Sequence, residues 1–340
     1  MSSKSKSTVS DQIIAALEAH GVQYVFGVPG EETEDLLFSL EKSKIQFIPT
    51  RHEQGAAFMA NVWGRMTGKV GVCLSTLGPG ATNLVTGLAD AFLDKSPVLA
   101  LTGQAHSARH HKESHQYIDV AGAFRPITKW NTVVYSPAVV SESVAKALKI
   151  AEMEKPGVTH IDLPEDIAAL PSEGKIIPVQ KVRRGAPDHK AIAQAIKLIL
   201  KSKKPVILAG NGAIRKLASK HLRMLVERMN IPVVSTFMGK GAISDKSPLS
   251  LRTAGMKAKD FPVLALEEAD LIISIGHDIA EYDPEYWHHK RQPVIHIDFD
   301  SAEVYSWYQP EVEIVADISA TIWEMLRILE EVQAKPYQNW

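Results

Sequence analysis

The sequence predicts an α/β protein made of two doubly wound parallel-sheet domains, and three features of the residue pattern carry that expectation. Short apolar runs alternate with amphipathic helical stretches along nearly the whole chain. The runs are almost continuously apolar, as in Val70-Gly71-Val72-Cys73-Leu74 and Leu271 to Ile275, which suits strands covered on both faces. Residues 171–187 are rich in Pro, Gly, Lys and Arg and lack an apolar period, so they read as a linker between a domain at 1–170 and a second at 188–334. At 340 residues the chain is long enough for both, at roughly 150 residues per domain.

The elements follow in order. Ser10 can cap a first helix whose Ile13, Ile14 and Leu17 form one face, with Gly21 as its stop. Tyr24-Val25-Phe26 reads as a strand ending in Gly27-Val28-Pro29-Gly30, and Leu36, Leu37 and Leu40 mark a second helix. Ile45-Gln46-Phe47-Ile48 is a short strand, and Gln54 to Met66 keep helical periodicity up to Gly68. Strand Val70 to Ser75, loop Leu77 to Gly80, helix Ala81 to Leu93 and strand Pro97 to Thr102 come next. The segment from Gln104 to Gln116 is polar and His-rich and starts at a strand end, so it reads as a long loop over the ligand edge. Strand Thr132 to Tyr135, a helix through Val144, Leu148 and Ile150, and strand Val158 to Leu163, closed by Pro164, complete the first domain. Beyond the linker come helix Ile192 to Leu200, strand Val206 to Ala209, helix Ala218 to Met229, strands Val233 to Ser235, Leu271 to Ile275 and Val294 to Ile297, and a last helix through Ile322 and Leu329.

Lys plus Arg total 38 against 39 acidic residues, so a net charge of -1 gives no field that would draw nucleic acid or an anionic membrane. The longest basic cluster, Lys181-Val182-Arg183-Arg184, reads as solvated linker. Cys73 is the only cysteine and sits inside an apolar run, which makes it a structural thiol rather than a nucleophile. No apolar run reaches transmembrane length and residues 1–8 carry no apolar core, so a cytoplasmic location is expected.

Glu53 stands out for its position. It falls just beyond the carboxyl end of a strand and at the start of a helix, the edge where open α/β sheets bind ligands. The helix dipole favours a carboxylate there, and apolar surroundings favour the acid, so the place suits a carboxyl that shares a proton. The plain alternative is that Glu53 only caps its helix. The glycines of Leu77-Gly78-Pro79-Gly80-Ala81-Thr82-Asn83 let a ligand approach the backbone, although no Gly-Lys-Ser/Thr follows to make a Walker loop. His106, His110, His111 and His115 could share one side of a helix. With no Cys and only Glu113 beside them, no metal site is assigned.

Five motifs occur together and in order: FGVPG at 26 to 30, RHEQGAAFMA at 51 to 60, LSTLGPGATN at 74 to 83, LADAFLDKSPVLALTGQ at 88 to 104 and LPED at 163 to 166. In order and spacing they resemble the pyrimidine-binding domain of thiamine diphosphate enzymes, most closely the catalytic subunit of the acetolactate synthases. Glu281-Tyr282-Asp283-Pro284 and Val294-Ile295-His296-Ile297-Asp298 extend the resemblance into the family's central domain.

The resemblance implies thiamine diphosphate as cofactor and assigns Glu53 a role. The matching glutamate binds a ring nitrogen of the aminopyrimidine and drives it to the imino form that takes the proton from the thiazolium carbon. Gln116 falls where the family has a glutamine that reaches the reacting substrate. Pro29, Gly30, Thr76, Gly80 and Asn83 match the lining of the pyrimidine pocket. Pyruvate and a second 2-keto acid are the implied substrates, and a homodimer or homotetramer the implied assembly. The surface of Gly55-Ala56-Ala57 also permits close packing of a partner chain.

The sequence departs from the family in several places. Glu31 stands where many relatives have Gly, and Glu165 where they have Lys or Gln, which puts a cationic substrate contact in doubt. Residues 276–284 resemble the flavin-free catabolic branch, while Gly210-Asn211-Gly212 could face a dinucleotide, so FAD stays open. The family's third domain holds Mg2+ and the diphosphate through Gly-Asp-Gly and a later Asn. This sequence contains no Gly-Asp-Gly, so the expectation is a chain that does not turn over pyruvate alone. Other readings are a different thiamine diphosphate 2-keto-acid decarboxylase, a pyruvate oxidase, or a non-catalytic binding or assembly module of the same fold.

Overall fold

The computed structural model describes residues 7–180, 182–215, 218–255 and 261–338. They group into two units divided between Val182 and Arg183.

In the first unit the order is α1 (Val9–His20), β1 (Tyr24–Gly27), α2 (Glu34–Glu41), β2 (Gln46–Pro49), α3 (Glu53–Thr67), β3 (Gly71–Ser75), α4 (Gly78–Asn83), α5 (Val85–Leu93), β4 (Val98–Gln104), α6 (Val120–Phe124), β5 (Trp130–Val133), α7 (Val140–Glu152), β6 (Val158–Pro164) and α8 (Glu165–Ala168). Six strands form one sheet in the order β2-β1-β3-β4-β6-β5, every pair parallel. Alternate residues of the central strands enter opposite cores. Val72 and Leu74 face the core built with α1, α2 and α7, whereas Cys73 faces the one built with α3 and α5. Both faces are therefore apolar, which is why the strands lack the polar alternation of a half-exposed sheet. Burial pushes the Cys73 thiol up to about 12, so it is inert.

Several boundaries differ from expectation. Thr8, not Ser10, caps α1: its hydroxyl accepts the Asp11 N–H while Asp11 takes the Thr8 N–H. Ser10 is buried inside the helix and donates to the Ala168 carbonyl at 3.2 Å. Residues 78–80 are not a loop but the first turn of α4, with Pro79 where a missing N–H is harmless. Strand β4 runs two residues further, to Gln104. Ala56 and Ala57 are buried within the unit, where a methyl added to Gly87 of α5 would lie 2.6 Å from the Ala57 Cβ. Of Gly55-Ala56-Ala57 only Gly55 has open space before it.

The second unit runs α9 (His189–Lys201), β7 (Pro205–Ala209), α10 (Asn211–Ile214), α11 (Ala218–Met229), β8 (Val233–Ser235), β9 (Ser250–Thr253), α12 (Phe261–Glu268), β10 (Leu271–Ile275), β11 (Val294–Asp298), β12 (Val312–Val315) and α13 (Ile318–Glu331). Its sheet is also all parallel, in the order β12-β11-β10-β7-β8-β9. Strands β9 and β12 and helix α12 were not expected. Of the basic cluster, Lys181 lies outside the described residues. Arg184 is not simply solvated, because it pairs with Asp317 at 2.9 Å and covers the Phe299 ring.

Candidate active site

In the first unit the chain leaves β1 for β2 on one side and returns for β3 on the other. The neighbours β1 and β3 thus form a switch point, at whose carboxyl edge open α/β sheets bind ligands. The β2–α3 turn delivers Glu53 to that edge. The Thr50 N–H is held by the Gly27 carbonyl at 2.8 Å, and extended His52 then caps α3, its Nδ1 accepting the Gln54 N–H at 3.2 Å. The capping reading of Glu53 is thus corrected, because His52 has that task.

Glu53 is 8% exposed. Its Oε2 accepts from the Asn83 amide at 2.9 Å, and among the described residues Oε1 accepts no hydrogen bond. Gly80 makes room for this carboxyl. A methyl there would stand 3.4 Å from Oε1, 2.8 Å from the Thr76 Cγ2 and 2.9 Å from the Ser75 hydroxyl. Gly30 does the same for Thr76, whose Cβ would be 2.5 Å from a methyl on Gly30. The fold thus brings together Gly30, Glu53, Thr76, Gly80 and Asn83. Pro29 precedes Gly30 in an exposed turn. Gln116 meets the group through its backbone, with its carbonyl over Gly78 and its side chain exposed.

Two sets of polar residues were missed in the sequence. Glu32 accepts the Thr76 hydroxyl, which turns the Thr76 lone pairs elsewhere. It is hidden in sequence because Glu31-Glu32-Thr33-Glu34 reads as an ordinary acidic helix start. Exposed Glu31 opens the short 3-10 turn that carries Glu32. The second set lies on β4 and β6. Thr102 approaches Asp162 Oδ1 at 2.5 Å and His160 Nε2 at 2.7 Å, and Gln104 donates to Asp162 Oδ2 at 3.0 Å. A His and an Asp two residues apart in a buried strand were the available signal.

The His-rich loop is tied to the LPED carboxylates. Glu165 pairs with Arg109 and accepts the His106 N–H, and Asp166 accepts both the N–H and hydroxyl of Ser107. Glu165 is thus engaged inside the protein. His106 caps Ala108 through Nδ1, and His110 bonds the Ala105 carbonyl at 2.7 Å and stacks on Tyr117. Among the described residues no three His, Cys, Asp or Glu are grouped to hold a metal ion.

The second unit has its own switch point, between β7 and β10. There the Glu281 carboxylate accepts the Asn211 N–H at 3.0 Å and the Thr236 hydroxyl at 2.5 Å. A methyl on Gly210 or Gly212 would overlap the backbone at Gly276, so these glycines close the two loops on each other.

Two family models match the chain. One, described as thiamine pyrophosphate enzyme, N-terminal TPP binding domain, covers residues 7–123, and the other, thiamine pyrophosphate enzyme, central domain, covers residues 192–325. The chain belongs to the thiamine pyrophosphate enzyme family. Among its relatives, a probable acetolactate synthase large subunit of Methanocaldococcus jannaschii is 39% identical over 97% of the chain and 58% of its own length. The acetolactate synthase of Bacillus subtilis is 36% identical over 93% and 56%, and the catabolic acetolactate synthase of Raoultella terrigena 35% over 94% and 58%. The chain therefore spans a little over half the length of these relatives. In this thiamine pyrophosphate enzyme chain, Pro29, Gly30, Glu53, Thr76, Gly80, Asn83 and Gln116 all fall inside the N-terminal match, while Asp162 and Glu165 fall beyond it.

Glu281 gives a prediction on stability. Burial pushes its carboxyl from an ordinary 4.5 up to about 7 against the hydrogen bonds that lower it. The folded state then holds more protons than the unfolded one between these values, so its stabilising share is full below 4.5 and lost as pH rises through about 7. Thermal melts of wild type and Glu281→Gln from pH 4.5 to 8 should therefore diverge, with the wild type losing ground to the variant as pH rises. Parallel curves would contradict this.

Proposed function

We propose that this chain supplies the pyrimidine-binding and central domains of an acetolactate synthase, which joins two pyruvate molecules with loss of carbon dioxide. The observation that carries the reading is the Glu53 carboxyl, buried at the switch point with one oxygen held by Asn83 and the other open. These residues fit the aminopyrimidine of thiamine diphosphate. Gly30 and Gly80 leave the Thr76 and Glu53 side chains uncovered, and among the described residues Oε1 has no donor.

When bound, the cofactor supplies an acidic ring carbon that, once deprotonated, adds to the keto group. The protein's part lies in the proton. Asn83 fixes Oε2, so Oε1 is the atom left to share a proton with a ring nitrogen. Donation of the Thr76 hydroxyl to Glu32 leaves its oxygen free to accept an N–H. Gln116, exposed on its loop, is the amide proposed to meet the keto acid. Mg2+ and the diphosphate are assigned to a further domain. In the second unit Gly210-Asn211-Gly212 is not the proposed place for a flavin dinucleotide, because Glu281 occupies the Asn211 N–H and the glycines are closed on Gly276.

A second copy of the chain is the proposed partner. On the outer face of α3, Phe58, Met59, Val62, Trp63 and Met66, with Phe26, line an apolar groove of 440 Å3, and Met66 is 80% exposed. Among the described residues no helix is long and apolar enough to cross a membrane.

The test is acetolactate formation from pyruvate with thiamine diphosphate and Mg2+, in a protein that joins this chain to a diphosphate-binding domain. The reading predicts acetolactate as the main product. Simple decarboxylation to acetaldehyde, or oxidation to acetate, would favour the other enzyme readings.

A further inference from the structure

Gln104 and Asp162 are each 1% exposed, and neither has a part in the proposed chemistry. The Gln104 amide nitrogen donates to two acceptors, Asp162 Oδ2 at 3.0 Å and the Ile118 carbonyl at 3.1 Å. Its Oε1 accepts the Ala105 N–H at 2.9 Å. One side chain thus joins both ends of the loop from Ala105 to Ile118 to a carboxylate on β6. Within that loop Gln116 has a left-handed backbone, with φ of +54°, and its carbonyl rests on Gly78. Such a conformation persists only where the surroundings over-determine it.

We propose that Asp162 is a positioning residue that, through Gln104, clamps the loop at its two ends and so sets the backbone at Gln116. The inference rests on the proposed role of Gln116. Around Asp162 stand Thr102 and Gln104 on β4, His160 on its own strand, and Tyr117, Asp119 and Tyr135, which sense its charge. Burial pushes the Asp162 carboxyl up to about 7, against the lowering by Thr102 and Gln104, and holds His160 down near 3, so the ring is neutral. Among the described residues the His160 Nδ1 has no partner, and its Nε2 meets the Thr102 hydroxyl. Ionised Asp162 makes the Gln104 bond charge-assisted and about twice as strong. The Gln104 bond lowers the Asp162 carboxyl, so an opening that breaks this bond while Asp162 stays buried raises it further; the closed loop then holds fewer protons than the open one, and the clamp should tighten as pH rises through neutrality.

Amide hydrogen exchange of residues 105–118 in the 340-residue chain tests this, with rates corrected for their intrinsic pH dependence. In the wild type, protection should rise roughly tenfold between pH 6 and 8. Asp162→Asn should keep the wild-type pH 6 protection at both values, and Gln104→Met should be unprotected at both. Amides of β4 and β6 that stay protected in all three proteins report an intact sheet. His106, His110, His111 and His115 remain in both variants, so a pH response of their making would persist in Asp162→Asn. Such a persisting response, or a wild-type loop insensitive to pH, overturns the proposal. If Asp162→Asn does not fold, wild type and Gln104→Met decide, and a loop protected in Gln104→Met overturns it. No cofactor or keto acid enters the measurement, so its failure leaves the Glu53 reading standing, and absence of acetolactate formation leaves the clamp standing.

Discussion

In a protein that joins this chain to a diphosphate-binding domain, Glu53→Gln is expected to lower the proposed acetolactate formation by about 10²- to 10⁴-fold, the range for losing a positioned proton-transfer group. The substitution is nearly isosteric. Its amide oxygen can still accept from Asn83, so the fold and the melting temperature should hold. What disappears is a carboxyl able to share a proton at the open position. Saturating thiamine diphosphate should not restore the rate, because the loss lies in the chemistry rather than in occupancy. A variant within threefold of wild type would remove Glu53 from the mechanism.

Gly78→Ala should have the second large effect. Gly78 has φ of +51°, where an L side chain is strained, and a methyl there would overlap the Gln116 backbone carbonyl, which cannot rotate away. Strain and displacement together should cost about 2–4 kcal/mol in urea unfolding. Gly55→Ala is the contrasting case. Its methyl meets nothing within 4 Å on the first turn of α3, so the same change should stabilise by roughly 0.5–1 kcal/mol. Equal effects at the two sites would show that the Gly78–Gln116 contact does not constrain the protein.

The central strands of both sheets were legible because they are buried on two faces, which makes their runs mostly apolar over five to seven residues. Strands β9 and β12 were not. β9 lies at an edge with an irregular register to β8, and β12, also at an edge, alternates buried Val312 and Ile314 with exposed Glu313 and Val315 over only four residues. Helix α12 begins Phe-Pro-Val-Leu and lacks a polar face long enough to set a period.

The site was legible in place but not in detail. A strand end followed by a helix start located Glu53. The choice between cap and open carboxyl turned on Asn83, thirty residues away, and on His52 taking the cap. The stripe under the loop was invisible for a related reason. Thr102 and Asp162 become neighbours only when β4 and β6 pair in their actual register, and nothing local in either strand announces that pairing.

Glu53 is proposed to share a proton with the bound cofactor. The most direct test is the rate of hydrogen–deuterium exchange at the thiazolium carbon of enzyme-bound thiamine diphosphate, followed by NMR after acid quench, in wild type and Glu53→Gln. Exchange faster than turnover in the wild type and at least about a hundredfold slower in the variant is the predicted result. Equal exchange in the two proteins would contradict it.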